Sequence, residues 1–277
     1  MRHDGSVNLS DFLFYADQDV TVYCGDNRVI LPLMREESID CVIASPPYNT
    51  AMVGNTKVKA SGMMKEYGMS RWVDKMTGGY EDSLPEDQYQ LQQQDVLGLL
   101  HLVAAPHASL FYNHKDRWRD KTLIDPLQWL SQTAWNLRMR IIWDRSVGTT
   151  RNARMFYLQH EYMFWCFKYE WRWNQSAVGH GTVWRIAPQP YKEHSCVFPE
   201  ALVARCLDAV IAPGTTVLDP YAGSGTVARV ARKFGCKSIM IERDPTYCQV
   251  IVEGMRQGGL FTDTTTQNQT HFSPDLL

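Results

Sequence analysis

Apolar positions along the chain follow two periods in turn, a strand period and a helix period, and their alternation predicts an α/β fold. Residues 20–24 form a short β-branched run that closes on Gly25-Asp26, and Val29, Ile30, Leu33 and Met34 follow at helical spacing. A strand, a turn and a helix are therefore expected there. Residues 39–44 (IDCVIA) are continuously apolar, as in a strand buried on both faces of a parallel sheet, and the run stops at Ser45-Pro46-Pro47-Tyr48 because two prolines cannot extend a ladder. The pattern next predicts a helix over 86–104, strands at 108–112, 139–143 and 162–167, and a helix over 124–133.

Toward the C-terminus, Leu202, Val203, Cys206, Leu207, Val210 and Ile211 recur at spacings of three and four, predicting a helix that starts at Pro199 and ends at Gly214. Residues 216–218 then read as a strand, 219–226 as a Gly-rich turn, 227–234 as a helix and 237–241 as a strand that ends on Glu242. Residues 49–87 carry Gly, Met, Lys and Ser without a clean period and read as an insertion within one domain spanning 1–261. The polar stretch 262–277 reads as a disordered tail.

Composition narrows the class. With 277 residues, 44% hydrophobic and 21% charged, the chain is an ordinary globular protein of one large domain. No apolar run reaches the roughly 18 residues of a membrane span, and the N-terminus lacks the order of a secretion signal, so a cytoplasmic protein without membrane contact is expected. Seven cysteines (Cys24, Cys41, Cys166, Cys196, Cys206, Cys236 and Cys248) include no C-x-x-C pair, which argues against a disulfide framework or a zinc site. His160 and His194 are too isolated to hold a metal, and none is expected. A net charge of −2 argues against a partner bound by bulk charge but leaves room for a local basic face.

Two segments carry candidate chemistry. In LDPYAGSGTVARVARKFGCKSIMIERD, Gly223 and Gly225 let backbone approach a ligand, and the next helix presents free N–H groups there. Glu242 follows Asp219 by about 20 residues, the spacing at which an acid reaches a ribose in nucleotide folds. The spacing is not G-x-G-x-x-G and there is no G-K-[ST], so a nucleoside without phosphates fits better than a dinucleotide or ATP. Asp219 at the loop's start would repel a pyrophosphate and attract a cationic amino group, a description that fits S-adenosylmethionine. At Ser45-Pro46-Pro47-Tyr48 the prolines leave carbonyls as acceptors at a strand end, and Tyr48 offers a flat ring, which together suit a planar base bearing an NH₂.

With both motifs in place, the chain resembles the S-adenosylmethionine-dependent DNA methyltransferases that modify exocyclic amino groups, the family with an [SND]-P-P-[YF] motif. The order here, catalytic motif first and cofactor loop last, resembles its permuted β group. The resemblance runs over about 21–252 and includes Gly25-Asp26, Ile142-Trp143, His160-Glu161, His194 and Phe198-Pro199. It implies a Rossmann-like class I methyltransferase with a mostly parallel sheet flanked by helices. It implies catalytic roles for Ser45, Pro46, Pro47 and Tyr48, and cofactor contacts from Asp219, Pro220, Tyr221, Ala222, Gly223, Ser224, Gly225, Thr226, Glu242, Asp26 and Phe198. The expected cofactor is S-adenosyl-L-methionine and the expected substrate double-stranded DNA; a homodimer and a cognate restriction endonuclease are further partners the resemblance suggests. Methylation at carbon 5 of cytosine needs a nucleophilic cysteine, usually in a Pro-Cys pair, which is absent. Serine in the first motif position is more typical of cytosine-N4 enzymes, with adenine N6 the alternative. RNA methylation and a non-catalytic nucleic-acid-binding role are more distant alternatives.

Arg138, Arg140, Arg145, Arg151 and Arg154, against the single acid Asp144, form the expected phosphate-contacting segment, joined by Lys57 and Lys59 of the insertion. The insertion also holds Tyr67 and Trp72 and is expected to close over a flipped base. The aromatic-rich stretch 157–173 alternates as a buried strand does and is expected to pack the core rather than stack bases.

Overall fold

The computed structural model describes residues 7–49, 84–119, 121–146, 156–188 and 198–259. In chain order these form β1 (Leu13–Ala16), β2 (Val20–Cys24), α1 (Asn27–Ile30), β3 (Ile39–Ala44), α2 (Glu86–Val103), β4 (Ala104–His114), β5 (Arg117–Arg119), β6 (Thr122–Ile124) and α3 (Leu127–Leu130). The order continues with β7 (Asn136–Asp144), β8 (His160–Phe167), β9 (Val183–Arg185), α4 (Glu200–Val210), β10 (Thr216–Asp219), α5 (Thr226–Lys233), β11 (Lys237–Glu242) and α6 (Pro245–Gly259).

Nine strands form one sheet in the order β1-β2-β11-β10-β3-β4-β8-β7-β9, and β5 and β6 form a separate hairpin. Only β1 and β8 run against the others, so the sheet is mostly parallel, as the α/β alternation predicts. Its centre is buried on both faces. Along β3, Cys41 and Ile43 join the core under α4, α5 and α6, while Val42 and Ala44 join the core under α2 and α3. That two-sided burial explains the unbroken apolar run IDCVIA.

The topology places the site. β10 pairs with β3 on one side and β11 on the other, and from this junction α2 leads to β4 in one direction while α5 leads to β11 in the other. Such a reversal opens a crevice beyond the carboxyl ends of the two strands. Val217 lies opposite Cys41 and Leu218 opposite Val42, so the ends leading into Ser45 and Asp219 lie side by side.

Several elements depart from the pattern. Residues 124–133 form no long helix, because Pro126 caps a single turn and the hydroxyls of Ser131 and Thr133 bond back to the carbonyls of Leu127 (2.7 Å) and Leu130 (2.8 Å). α4 ends at Val210, short of Gly214, because Pro213 turns the preceding residue out of helix; Gly214 (φ +82) lies in the turn that follows. β1, β9, the β5–β6 hairpin and α6 are additions to the predicted set. The insertion beyond Asn49 up to residue 83 and the tail 262–277 lie outside the described residues.

Gly225 introduces α5 in a left-handed conformation (φ 77), and a Cβ there would come within 2.9 Å of Ile251 Cγ1. Gly225→Ala is therefore expected to destabilise the protein by about 1–3 kcal/mol. A thermal melt should fall by several degrees; an unchanged Tm would contradict this packing.

Candidate active site

β3 delivers Ser45 to the switch-point crevice, and β4 and β8 bring two polar side chains alongside. Asn113 on β4 is fully buried, and its Nδ2 donates to the carbonyl of Tyr162 at 2.9 Å, which fixes its Oδ1 toward the motif. Ser45 Oγ lies 3.2 Å from that Oδ1 and 3.3 Å from the Tyr48 hydroxyl. The Tyr48 hydroxyl also contacts Asn113 Oδ1 and lies 2.9 Å from Glu161 Oε2. Glu161, 5% exposed on β8, pairs through Oε1 with Arg145 at 2.7 Å. The motif thus ends on a chain running Ser45, Asn113, Tyr48, Glu161, Arg145.

A second set of bonds shapes the backbone of the motif. The Tyr89 hydroxyl on α2 donates to the Pro47 carbonyl at 2.8 Å, so this carbonyl is turned inward rather than left as an outward acceptor. The same hydroxyl lies 2.8 Å from His114 Nε2, and the Lys115 N–H lies 2.9 Å from His114 Nδ1. Tyr89 thus bridges the Pro47 carbonyl and His114 Nε2, while His114 Nδ1 lies 2.9 Å from both the N–H and the carbonyl of Lys115. Burial together with the nearby Arg117 charge holds His114 well below the usual histidine range, which keeps the ring neutral. The His114 ring packs 4.6 Å from the Tyr48 ring, tilted by 44°, and Lys115 Nζ stands 5.2 Å from the Tyr48 centroid. The Tyr48 plate is thus held at its rim and beside one neighbour.

The second half of the crevice is the loop after β10. The Gly223 N–H donates to Glu242 Oε2 at 2.8 Å, and the Asp244 N–H to Glu242 Oε1 at 2.9 Å, so the loop folds around the carboxylate that ends β11. Asp219 Oδ1 accepts from the Tyr221 N–H at 2.9 Å. Asn27 Nδ2 donates to the Pro220 carbonyl at 3.0 Å, tying α1 to this loop. Burial pushes Asp219 up to about 7, and it raises Glu242 as well. Among the described residues no basic side chain pairs with either carboxylate. Ala222 and Ser224 are buried within the loop, and Thr226 begins α5. Asp26 caps α1 through the Arg28 N–H (2.9 Å) and pairs with the Arg28 side chain (2.8 Å). The Phe198 ring lies 6.3 Å from that of Trp143.

The sequence profile of the DNA methylase family matches residues 39–253. The chain belongs to the DNA methylase family. This DNA methylase is 29% identical to the Type II methyltransferase M.Cfr9I of Citrobacter freundii over 85% of its own length and 87% of the relative's. Among solved structures, the cytosine-N4-specific PvuII DNA methyltransferase superposes with a TM-score of 0.67 at 15% identity, covering 92% of this chain and 90% of that one. The M1.HpyAVI-SAM complex superposes with a TM-score of 0.58 at 16% identity, covering 85% and 99%. Both matches share the class I methyltransferase fold.

The described arginines of the basic segment, Arg138, Arg140 and Arg145, are committed within the fold. Arg138 lies over Trp171 at 4.5 Å, Arg140 pairs with Asp125 at 2.9 Å, and Arg145 pairs with Glu161. Arg138 and Arg140 sit back from the carboxyl end of β7, and only Arg145 reaches the catalytic end. Arg151, Arg154, Lys57, Lys59 and His194 lie outside the described residues. The aromatic stretch 157–173 divides: β8 is mostly buried, whereas Tyr157, Tyr169, Trp171 and Trp173 are exposed. The sequence reading missed Asn113, Glu161, Tyr89 and His114 as site residues. Polar Asn113-His114 ending the apolar run ASLFY was the available signal.

Proposed function

We propose that this DNA methylase transfers a methyl group from S-adenosyl-L-methionine to an exocyclic amino nitrogen of a base flipped out of duplex DNA, with N4 of cytosine as the target. The observation that carries the reading is the juxtaposition, at one switch point, of Ser45 on its buried polar chain with a loop flanked by the buried Asp219 and the half-buried Glu242, neither of which pairs with a basic side chain among the described residues. Those carboxylates fit the cofactor: Asp219 faces its ammonium and Glu242 its ribose hydroxyls, with Pro220, Tyr221, Ala222, Gly223, Ser224, Gly225 and Thr226 shaping the loop and Phe198 the pocket wall. Asp26 acts from α1, beside the loop. When bound, S-adenosyl-L-methionine supplies an electrophilic methyl on a sulfonium.

An exocyclic amino nitrogen is a poor nucleophile because its lone pair is delocalised into the ring. Ser45 Oγ and the Pro46 carbonyl accept its hydrogens, orient it and favour the pyramidal form the transition state needs. Pro47, its own carbonyl held by Tyr89, fixes the turn that presents Tyr48. Stacking on Tyr48 recovers about 1–3 kcal/mol of the few kcal/mol that flipping requires. Phosphate contacts fall to Arg151 and Arg154 and to Lys57 and Lys59 of the insertion, because Arg138 and Arg140 are engaged by Trp171 and Asp125, and residues 1–261 act as one catalytic domain. Relatives named Type II methyltransferases support a restriction-modification setting.

Serine at position 45 favours cytosine; adenine N6 is the second reading, since both amines present the same hydrogens to the same acceptors. Incubation with methyl-labelled cofactor and equal amounts of duplex DNA and RNA tests the substrate class. Label in DNA is expected; label in RNA alone overturns it.

A further inference from the structure

Asn49, which follows Tyr48, is 1% exposed and left-handed (φ 51). Glu37, Lys121 and Ser146 also take a positive φ, but all three are exposed. Left-handed backbone is unfavourable for an L-residue, less so for asparagine, and persists where the surroundings over-determine it. Here two bonds do so. Asn49 Nδ2 donates to the Leu84 carbonyl at 2.9 Å, and Arg119 on β5 donates through Nη2 to the Asn49 carbonyl at 2.6 Å. The carbonyl just ahead of Tyr48, that of Pro47, accepts from the Tyr89 hydroxyl at 2.8 Å.

Both holds lead to one ion pair. Glu86, at the start of α2, binds the Arg117 guanidinium through both oxygens, at 2.7 and 2.8 Å, and its Oε2 lies 3.8 Å from Arg119 Nε. Arg117 is 4% exposed, and its guanidinium lies 4.6 Å from the Tyr89 ring centroid. The Tyr48 backbone is therefore held on each side, by Tyr89 packed on Arg117 and by Arg119 beside Glu86. A hold on the Pro47 carbonyl alone would leave the chain beyond Tyr48 free to turn. The hold on the Asn49 carbonyl closes that freedom and fixes the direction in which the Tyr48 ring is presented.

We propose that Arg119 is a positioning residue for the Tyr48 plate: by holding the Asn49 carbonyl it keeps the left-handed turn that fixes the root of the ring on which the flipped base stacks. Contacts of the hydroxyl hold the rim of the same ring. Arg119 acts through the backbone and not on the base. The assignment rests on the amino-methylation reading above and adds a residue to it. The Arg119 side chain is 35% exposed, so a phosphate contact is the competing role, and the two roles respond differently to salt. Removing a phosphate contact lowers the slope of log affinity against log salt by about 0.9, whereas removing a backbone hold leaves the slope as it is.

Arg119→Met keeps the reach of the side chain and removes its donors, while Glu86 keeps Arg117. It is expected to lower kcat for methyl transfer to duplex DNA by about 10-fold or more, the lower range for losing a hydrogen bond from a charged donor. Cofactor affinity within about twofold of wild type is the check that the variant is folded, and the salt slope of duplex binding is expected to be that of wild type. Because Arg119 acts through the Tyr48 ring, adding R119M to Tyr48→Ala is expected to lower kcat by less than about threefold further. Wild-type turnover by R119M, a salt slope lowered by about 0.9, or losses that multiply with Y48A would each overturn the proposal. If R119M fails to bind cofactor, Asn49→Ala takes its place, since it loses the Leu84 tie and disfavours the left-handed turn. The same loss and the same non-additivity with Y48A are then required. A wild-type protein that methylates no base amine would instead sink the parent reading, so the two failures are distinct.

Discussion

Asp219→Asn is expected to weaken S-adenosyl-L-methionine binding by at least about 30-fold, the lower end of the loss when one partner of a buried charge pair is removed. The same substitution should make the cofactor-free protein more stable at neutral and alkaline pH. Asp219 is almost fully buried and its carboxyl is pushed up to about 7 by burial, against 3.8 for a free aspartate. Between those values the fold keeps a proton that the unfolded chain has released. Stability contributed by this group therefore falls as pH rises from about 4 to about 7. The asparagine variant escapes that loss, so it should melt higher than wild type at pH 8, with the difference vanishing near pH 4. Cofactor affinity in wild type should follow the opposite course. A cationic ligand selects the ionised carboxylate, so the Kd should weaken by up to about tenfold for each pH unit below about 7. Calorimetric titration and thermal melts across this range check both arms. Tight, pH-independent binding by the asparagine variant would contradict the role given to Asp219.

Tyr48→Ala should nearly abolish methyl transfer while leaving cofactor affinity close to wild type. The ring supplies the stacking plate, and its loss removes about 1–3 kcal/mol of support for the extrahelical base. The hydroxyl is also lost, leaving Glu161 without the donor that now lies at 2.9 Å. Together these should lower kcat/KM by about 100-fold or more. A fluorescent base analogue at the target position should show reduced flipping in the same variant. Normal flipping with normal turnover would remove Tyr48 from the mechanism.

The central strands were the most legible part of the chain. β3 and the β10-loop-β11 unit are buried on both faces, so their apolar runs announce themselves, and each ends on the residues that line the crevice. Edge elements gave weaker signals: β1 is mostly exposed and β9 has three residues, too few to show a period. The polar chain behind Ser45 was not legible because it depends on long-range pairing. Asn113 and Glu161 meet Tyr48 only after β4 pairs with β3 and β8 with β4; His160-Glu161 stands among the positions of the family resemblance, but nothing local shows that its carboxylate reaches Tyr48. Arg145 illustrates the same limit. In sequence it is one of a basic cluster, whereas in the fold its charge belongs to Glu161.

The central claim is that Ser45 and its neighbours activate a base amine, and the product states this directly. The purified protein is incubated with S-adenosyl-L-methionine and unmethylated DNA, the DNA is digested to nucleosides, and the methylated nucleoside is identified by mass spectrometry. N4-methyldeoxycytidine is the predicted product, and N6-methyldeoxyadenosine would keep the chemistry and overturn the base. 5-Methyldeoxycytidine, or no methylated nucleoside from DNA of varied sequence, would contradict the account.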